Sequence, residues 1–197
     1  DRRERFRGAA GMYYEKGNER VIYLSSDGGI NNTVFLHEAL HGATLMRIKN
    51  YLKAKKAGIK VDPSLQEAVD ELIDLMHRAK GFYAALNLAQ ERGLITDPAQ
   101  IRLIKNAGVF ANSDAFDDPA EFVAYGMTHP TLQEFLRVVP GKVYGEKTTV
   151  IRIKDGLTQF VQSIRKMFGM GEGYSSALQD LIIVSDKVLR AKPVEKI

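Results

Sequence analysis

Two histidines, His37 and His41, lie four residues apart and enclose Glu38 in the sequence His-Glu-Ala-Leu-His. Apolar residues at helical spacing surround this pattern and predict a helix from Asn32 to Lys56. On a helix, residues four apart lie one turn above each other, so both imidazoles can reach one metal ion. A buried helix with two unpaired imidazoles would be unstable without a partner such as a metal. The chain therefore needs a fold that holds this helix against a core.

Glu38 lies about 100° around the helix from His37, beside an ion bound by the two histidines. That position suits a general base for a metal-activated water. The chain has no cysteine, so a transition-metal site must use His, Asp or Glu, and zinc accepts such donors. The alternative is a surface helix with two histidines by coincidence, but few chance occurrences of this pattern also fall within a helix.

A zinc site of this kind needs a third protein ligand and leaves its fourth position to water. Our first choice is Glu121, because Asp118-Pro119 predicts a helix start and places Glu121 in a first turn that is otherwise apolar. A first-turn glutamate favoured by the helix dipole is the alternative explanation. Other residues left open as the third ligand are Asp114, Asp117 and His129.

Tyr125 follows Glu121 by four residues and should share its helix face. Its hydroxyl could stabilise the oxyanion that forms when water attacks a carbonyl. A core tyrosine with a satisfied hydroxyl is an equal alternative.

The remaining pattern predicts a β-hairpin followed by further helices. The hairpin joins Met12 to Tyr14 with Arg20 to Leu24 through a turn at Lys16 to Glu19. The predicted helices after Lys56 run from Asp62-Pro63 to Lys80 with a stop at Gly81, from Phe82 to Arg92, from Asp97 to Lys105, from Pro119 to His129-Pro130, from Thr131 to Val138, from Leu157 to Phe168 and from Ser175 to Leu189.

These elements predict a single, predominantly helical α+β domain with a small sheet near its start. We expect residues 1–11 to be a lead-in, residues 12–138 the catalytic core and residues 139–197 C-terminal helices. The charged start without an initiating Met suggests a domain excised from a longer polypeptide. The sequence contains no signal-peptide pattern and no apolar run of the roughly 18 residues that a membrane span needs.

Taken together, the hairpin, the His37–His41 pattern and the later segment Glu121-Phe122-Val123-Ala124 resemble the gluzincin-type zincin metallopeptidases. The second segment, from Asp118 to Tyr125 and followed by His129-Pro130, is also similar to zincin-like peptidase domains within large multidomain bacteriophage proteins. The similarity spans about Met12 to Phe135. Because the separation between His41 and Glu121 is much longer than in the shortest gluzincin arrangements, the helices between them would be an insertion.

The resemblance implies that His37, His41 and Glu121 bind zinc and that Glu38 is the general base of peptide hydrolysis. It also implies that the strand with Val21 and Tyr23 can pair with an extended substrate. The expected partners are a polypeptide substrate and the rest of the parent chain. The expected location is the virion or the bacterial cytoplasm.

The sequence is also compatible with two other functions. One is a zinc-binding structural or interaction module that does not turn over substrate. The other is a basic domain associated with DNA ejection, suggested by the net charge of +4 and by Lys53, Lys55 and Lys56 at one helix end. Each basic cluster is more commonly a solvated face, so nucleic-acid binding is the weaker expectation.

Overall fold

The computed structural model describes residues 11–16, 19–24, 32–141 and 176–194, and the fold is predominantly helical, as predicted. Within these residues no helix combines the length and the apolar character needed to cross a membrane. The elements in chain order are β1 (Gly11–Lys16), β2 (Glu19–Leu24), α1 (Asn32–Lys56), α2 (Pro63–Glu91), α3 (Pro98–Ala111), a 3-10 helix (Asp114–Phe116), α4 (Pro119–Thr128), α5 (Pro130–Val138) and α6 (Ala177–Arg190).

Three helices begin with the same Asp-Pro signal. The side chains of Asp62, Asp97 and Asp118 each accept a hydrogen bond from a backbone N–H two residues later. The proline that follows occupies the first helical position, where its missing N–H removes no helix hydrogen bond. The sequence predicted all three starts, because both the cap and the proline act locally.

β1 and β2 pair in antiparallel register, with Met12 opposite Tyr23 and Tyr14 opposite Val21. The rings of Tyr14 and Tyr23 meet edge to face, with their centroids 6.2 Å apart. Both strands lie against α1, the helix that carries His37 and His41. The centre of the predicted turn, Gly17 and Asn18, lies outside the described residues.

α4 lies at the centre of the helical assembly, in contact with α1, α5, α6 and the 3-10 helix. Its apolar side chains Phe122, Val123 and Ala124 are fully buried. Large side chains of the neighbouring elements join them in one continuous core, including Ile48, Leu72, Phe116, Leu132, Phe135, Leu178 and Leu181. α4 is therefore fixed on several sides, and the residues of its first turn have a defined position.

The predicted helix stop at Gly81 is wrong, because α2 continues through this residue to Glu91. A glycine within a helix costs only about 1 kcal/mol relative to alanine. Phe82, Tyr83 and Leu86 beyond it pack against the core, and that burial favours the continuous helix. The stop predicted at Lys105 is also too early, since α3 extends to Ala111 with Ala107 and Phe110 buried.

On α1, the apolar residue Ala43 is exposed while the next residue, Thr44, is fully buried. The hydroxyl of Thr44 donates a hydrogen bond to the Leu40 carbonyl at 2.8 Å, which allows this polar residue to lie in the core. The predicted helix from Leu157 to Phe168 lies outside the described residues.

α6 is joined to α2 by ion pairs as well as by apolar contacts. Arg78 Nη2 lies 3.3 Å from Asp180 Oδ2, and Lys187 Nζ lies 2.6 Å from Glu71 Oε2. Asp180 is almost completely buried, so Arg78 compensates a charge that would otherwise be unstable in the core. The predicted helix from Ser175 to Leu189 is thus observed with a shift of one to two residues at its ends.

Gly126 allows α4 to approach α6 closely. A Cβ at this position would lie 2.2 Å from Cδ2 of Leu181 and 3.3 Å from Cδ1 of Leu136. Both leucines are fully buried, so neither can move aside without displacing other core atoms. A side chain at position 126 would therefore push the two helices apart.

Replacing Gly126 by alanine should lower the free energy of unfolding by about 1–3 kcal/mol, because the added methyl overpacks the contact with Leu181. The matched control is Gly81→Ala in α2, where a Cβ meets no atom within 4 Å. Gly81→Ala should raise the unfolding free energy by up to about 1 kcal/mol through helix propensity. Urea unfolding measures both, and a stabilising Gly126→Ala would show that the helices do not approach as described.

Candidate metal centre

α1 presents His37 and His41 on one side, one helical turn apart. Their ring planes are nearly parallel, with an angle of 9° between them and 6.1 Å between their centroids. The two side chains are only 16% and 15% exposed. Leu40 and Ile48 are buried on the same helix and hold it against the core, which fixes the direction of both imidazoles.

α4 places Glu121 opposite these histidines. The cap at Asp118 and the proline at 119 set the start of the helix, so Glu121 stands in its first turn. Phe122, which follows it, is fully buried and faces the core, whereas the Glu121 side chain remains 24% exposed. The local helix-start signal and the core packing together determine where this carboxylate lies.

Each oxygen of Glu121 faces one histidine. Oε1 lies 2.9 Å from Nε2 of His41, and Oε2 lies 3.6 Å from Nε2 of His37. Although the first distance is short, Nε2 of His41 is buried and has no well-directed hydrogen bond. The contact is therefore a close approach of opposite partial charges rather than an aligned donor–acceptor pair.

The site perturbs the ionisation of its own members. The imidazoles of His37 and His41 lower the pKa of Glu121 to about 2, against the opposing effect of burial. Burial alone would lower the pKa of His41, but the Glu121 carboxylate and the charges of Glu38 and Asp118 outweigh it and raise that pKa. An anionic Glu121 is the form that binds a metal cation.

The three side chains fit the donor set of zinc. Around a tetrahedral zinc ion with bonds of about 2.0–2.1 Å, neighbouring donor atoms lie about 3.3 Å apart. The two nitrogen–oxygen distances of 2.9 and 3.6 Å lie on either side of that value. The buried, unsatisfied Nε2 of His41 is the atom that would gain most from a cation.

The arrangement is nonetheless not a completed metal cage. In the described segments, no group of three or more His, Asp or Glu side chains meets the geometry of a formed metal site. The fit to zinc therefore rests on the three donor types and on the two distances from Glu121 to the histidines.

Glu38 is half-buried on α1 and follows His37 directly in the sequence. Its charge contributes to raising the pKa values of His41 and Tyr125. The described residues give Glu38 no ion-pair partner of its own. The position of Glu38 beside an ion bound by the two histidines stays a prediction.

Tyr125 packs directly on the site. Its ring centroid lies 4.5 Å from that of His37, with 59° between the planes, and burial followed by the charge of Glu121 raises the pKa of its hydroxyl. The ring centroid of Phe110 on α3 lies 5.7 Å from that of Tyr125 and 4.8 Å from that of His129. The rings of His37, Tyr125 and Phe110 therefore pack in sequence and link α1, α4 and α3.

The other residues left open as a third ligand lie elsewhere. Asp117 is 62% exposed and pairs with Lys80 at 2.5 Å, and Asp114 belongs to the 3-10 helix, where its charge acts on Tyr125. His129 joins α4 to α5, and burial together with the charge of His37 lowers its pKa. Of the four residues considered, Glu121 is the one in contact with both histidines.

Two residues of this region were not assigned to the candidate site from the sequence. Asp118 was identified as a helix cap, yet its charge also raises the pKa of His41. The sequence could have indicated this second effect, because a helix cap three residues before Glu121 lies at the same helix end as Glu121. Phe110 gave no comparable signal, since an apolar residue in an amphipathic helix predicts burial but not a particular neighbour.

Comparison of the chain with protein-family models, with curated proteins and with solved structures finds no match. The function must therefore be argued from the residues and their geometry.

Removing the ring of Tyr125 should destabilise the protein, because it contacts both His37 and Phe110. We expect Tyr125→Ala to lower the free energy of unfolding by about 2–4 kcal/mol, while Tyr125→Phe keeps the ring and stays within about 1 kcal/mol of wild type. Urea unfolding of the two variants measures this difference. An equal loss in both would mean that the hydroxyl, rather than ring packing, holds Tyr125 in place.

Proposed function

We propose that this chain is a zinc-dependent peptidase in which His37, His41 and Glu121 hold the metal and Glu38 is the general base. The observation that carries the proposal is the position of Glu121, whose two carboxylate oxygens lie 2.9 and 3.6 Å from the Nε2 atoms of the two histidines. These residues come from helices far apart in sequence. A carboxylate that meets two imidazoles in this way is a donor set suited to zinc, and it leaves a fourth position for water.

When bound, zinc supplies a water of lowered pKa and a Lewis acid that polarises a carbonyl. Glu38 takes the proton from the attacking water and transfers it to the leaving amine. His37 and His41 stay neutral while they act as ligands, and Glu121 stays ionised because its pKa is about 2. These residues thus perform amide hydrolysis without a protein nucleophile.

Tyr125 is proposed to act on the carbonyl oxygen. Its ring packs on His37 at 4.5 Å, which directs the side chain towards the metal ligands. Burial and the nearby charge of Glu121 keep the hydroxyl protonated, so it can donate a hydrogen bond to the oxyanion of the tetrahedral intermediate. The chemistry requires such a donor because negative charge develops on that oxygen.

The fold is compatible with a zincin-like arrangement of the gluzincin type. Two antiparallel strands lie against α1, and the proposed glutamate ligand comes from a second helix, α4. An extended polypeptide substrate would pair with the exposed edge of a strand, and β2 with Val21 and Tyr23 is the strand proposed for this role. We propose that the parent protein is a large bacteriophage protein and that the rest of that chain is a partner of this domain.

Zinc binding is the first expected outcome. The metal-free chain should take up about one zinc ion, and His41→Ala or Glu121→Gln should reduce the affinity at least about 100-fold because each removes a ligand. Competition with a chromophoric chelator measures the affinity. His77→Ala and Glu134→Gln, which change exposed residues on α2 and α5, are the matched controls and should bind zinc as wild type does.

Unchanged affinity in Glu121→Gln would exclude Glu121 as a ligand and return the third position to Asp114, Asp117 or His129. Loss of zinc binding in the two control variants would show that the ion binds to surface groups instead.

Glu38→Gln is the direct test of peptidase chemistry. The amide can hydrogen-bond a water but cannot accept its proton, so zinc should remain bound while peptide hydrolysis falls by at least about 100-fold. Hydrolysis is measured on a diverse peptide mixture by mass spectrometry, with zinc content determined in the same samples. Activity within a few-fold of wild type would remove Glu38 as the base. A zinc-loaded wild type that cleaves no peptide would instead support a structural zinc module.

A further inference from the structure

The second half of α1 has an unusual charge composition. Between Ala39 and Val61 the chain has six basic residues and no acidic residue. They are Arg47, Lys49, Lys53, Lys55, Lys56 and Lys60. A solvated helix face more commonly mixes both signs, since charges of opposite sign at helical spacing stabilise each other.

Two of the six basic residues stabilise the fold. The guanidinium of Arg47 donates a hydrogen bond to the Ala191 carbonyl at the end of α6. Lys55 Nζ lies 2.7 Å from the Asp70 carboxylate, which also accepts a hydrogen bond from the buried Tyr51 hydroxyl. These contacts explain the presence of Arg47 and Lys55 without any external partner.

The other four lysines are exposed and make no such contacts with the part of the chain that the structure describes. No carboxylate among the described residues lies within ion-pair distance of Lys49, Lys53, Lys56 or Lys60. Lys49, Lys53 and Lys56 follow one another at spacings of four and three residues, so they lie on one face of α1. We call these three residues the lysine stripe.

The helix dipole does not account for the whole stripe. Cations are favoured in the last turn of a helix, and Lys53 and Lys56 are in that turn. Lys49 is a full turn earlier, beyond the range of this effect, and its charge repels that of Lys53 four residues away. A partner that carries several negative charges would relieve this repulsion.

The geometry of the stripe matches a nucleic-acid backbone. From Lys49 to Lys56 the helix rises about 10 Å, a length that covers about three phosphates of one strand. Lysine ammonium groups act as point charges towards phosphate and need no base contact. A lipid surface fits less well, because Ile48 and Tyr51 on the apolar face of this part of α1 are buried in the core and cannot insert.

We propose that the lysine stripe is a sequence-independent contact surface for the phosphate backbone of a nucleic acid. Lys49 is the stripe residue nearest the proposed metal centre, and it lies about 16 Å from Glu38 along the helix axis. The two sites are therefore separate. The lysine stripe does not depend on the peptidase function. A chain with both sites would hold its peptidase centre close to a nucleic acid.

The test compares two triple variants of the 197-residue chain that lose the same charge. One changes Lys49, Lys53 and Lys56 to glutamine. The control changes three exposed basic residues outside the stripe, Arg92, Arg102 and Lys105, to glutamine. Fluorescence anisotropy measures binding to a short labelled DNA duplex between about 50 and 200 mM salt.

We expect the stripe variant to bind at least about tenfold more weakly at the lowest salt, with the slope of log affinity against log salt reduced by roughly 2–3. The control should change both quantities far less. Lys49→Gln alone, outside the last helical turn, should reduce the slope by about 1. Equal effects in both triple variants would assign binding to net charge and overturn the proposal.

Absence of duplex binding by wild type at the lowest salt would also overturn it, as would binding to phosphatidylserine vesicles without binding to DNA. Urea unfolding of each variant checks that the fold is kept. Because the substituted side chains are exposed, each variant should have a free energy of unfolding similar to that of the wild type.

Discussion

The contact between α1 and α4 is the constraint on which the site depends. It brings an ionised carboxylate against two largely buried imidazoles, and none of the three groups is easily buried alone. Their mutual attraction lowers the pKa of Glu121 to about 2 and raises that of His41. The buried polar groups of the site therefore partly stabilise one another. A cation would also satisfy Nε2 of His41, whose contact with Glu121 is poorly directed.

This contact is possible because the rest of the fold fixes α4. α5 and α6 pack on it from other sides, and Gly126 lets α6 come so close that a methyl group would collide with Leu181. α6 is in turn tied to α2 through Arg78 and Asp180. α6 is far from Glu121 in the sequence and contributes none of the proposed ligands, but its packing on α4 helps to set the position of Glu121.

The sequence predicted those features that local chemistry determines. The three Asp-Pro starts and the extent of α1 follow from caps and apolar spacing, and the position of Glu121 in a first turn follows from Asp118. The helix stop at Gly81 was wrong because the packing of Phe82 and Tyr83 outweighs the weak helix propensity of glycine. Which carboxylate reaches the histidines could not be derived locally, since Asp114, Asp117 and Glu121 lie within a few residues of one another and only the packed arrangement of helices separates them.

The apolar core of this protein borders the proposed metal site, because Phe110 belongs to the core and contacts Tyr125, which packs on His37. Buried apolar residues of α1, α2, α3, α4, α5 and α6 form one continuous cluster. In small zinc-dependent domains the metal supplies most of the folding free energy, because little apolar surface is buried without it. Here a large apolar surface is buried between the helices, and the imidazoles of α1 face Glu121 of α4. The proposed zinc ligands are therefore held by packed helices, which is the support that a proposed catalytic site needs.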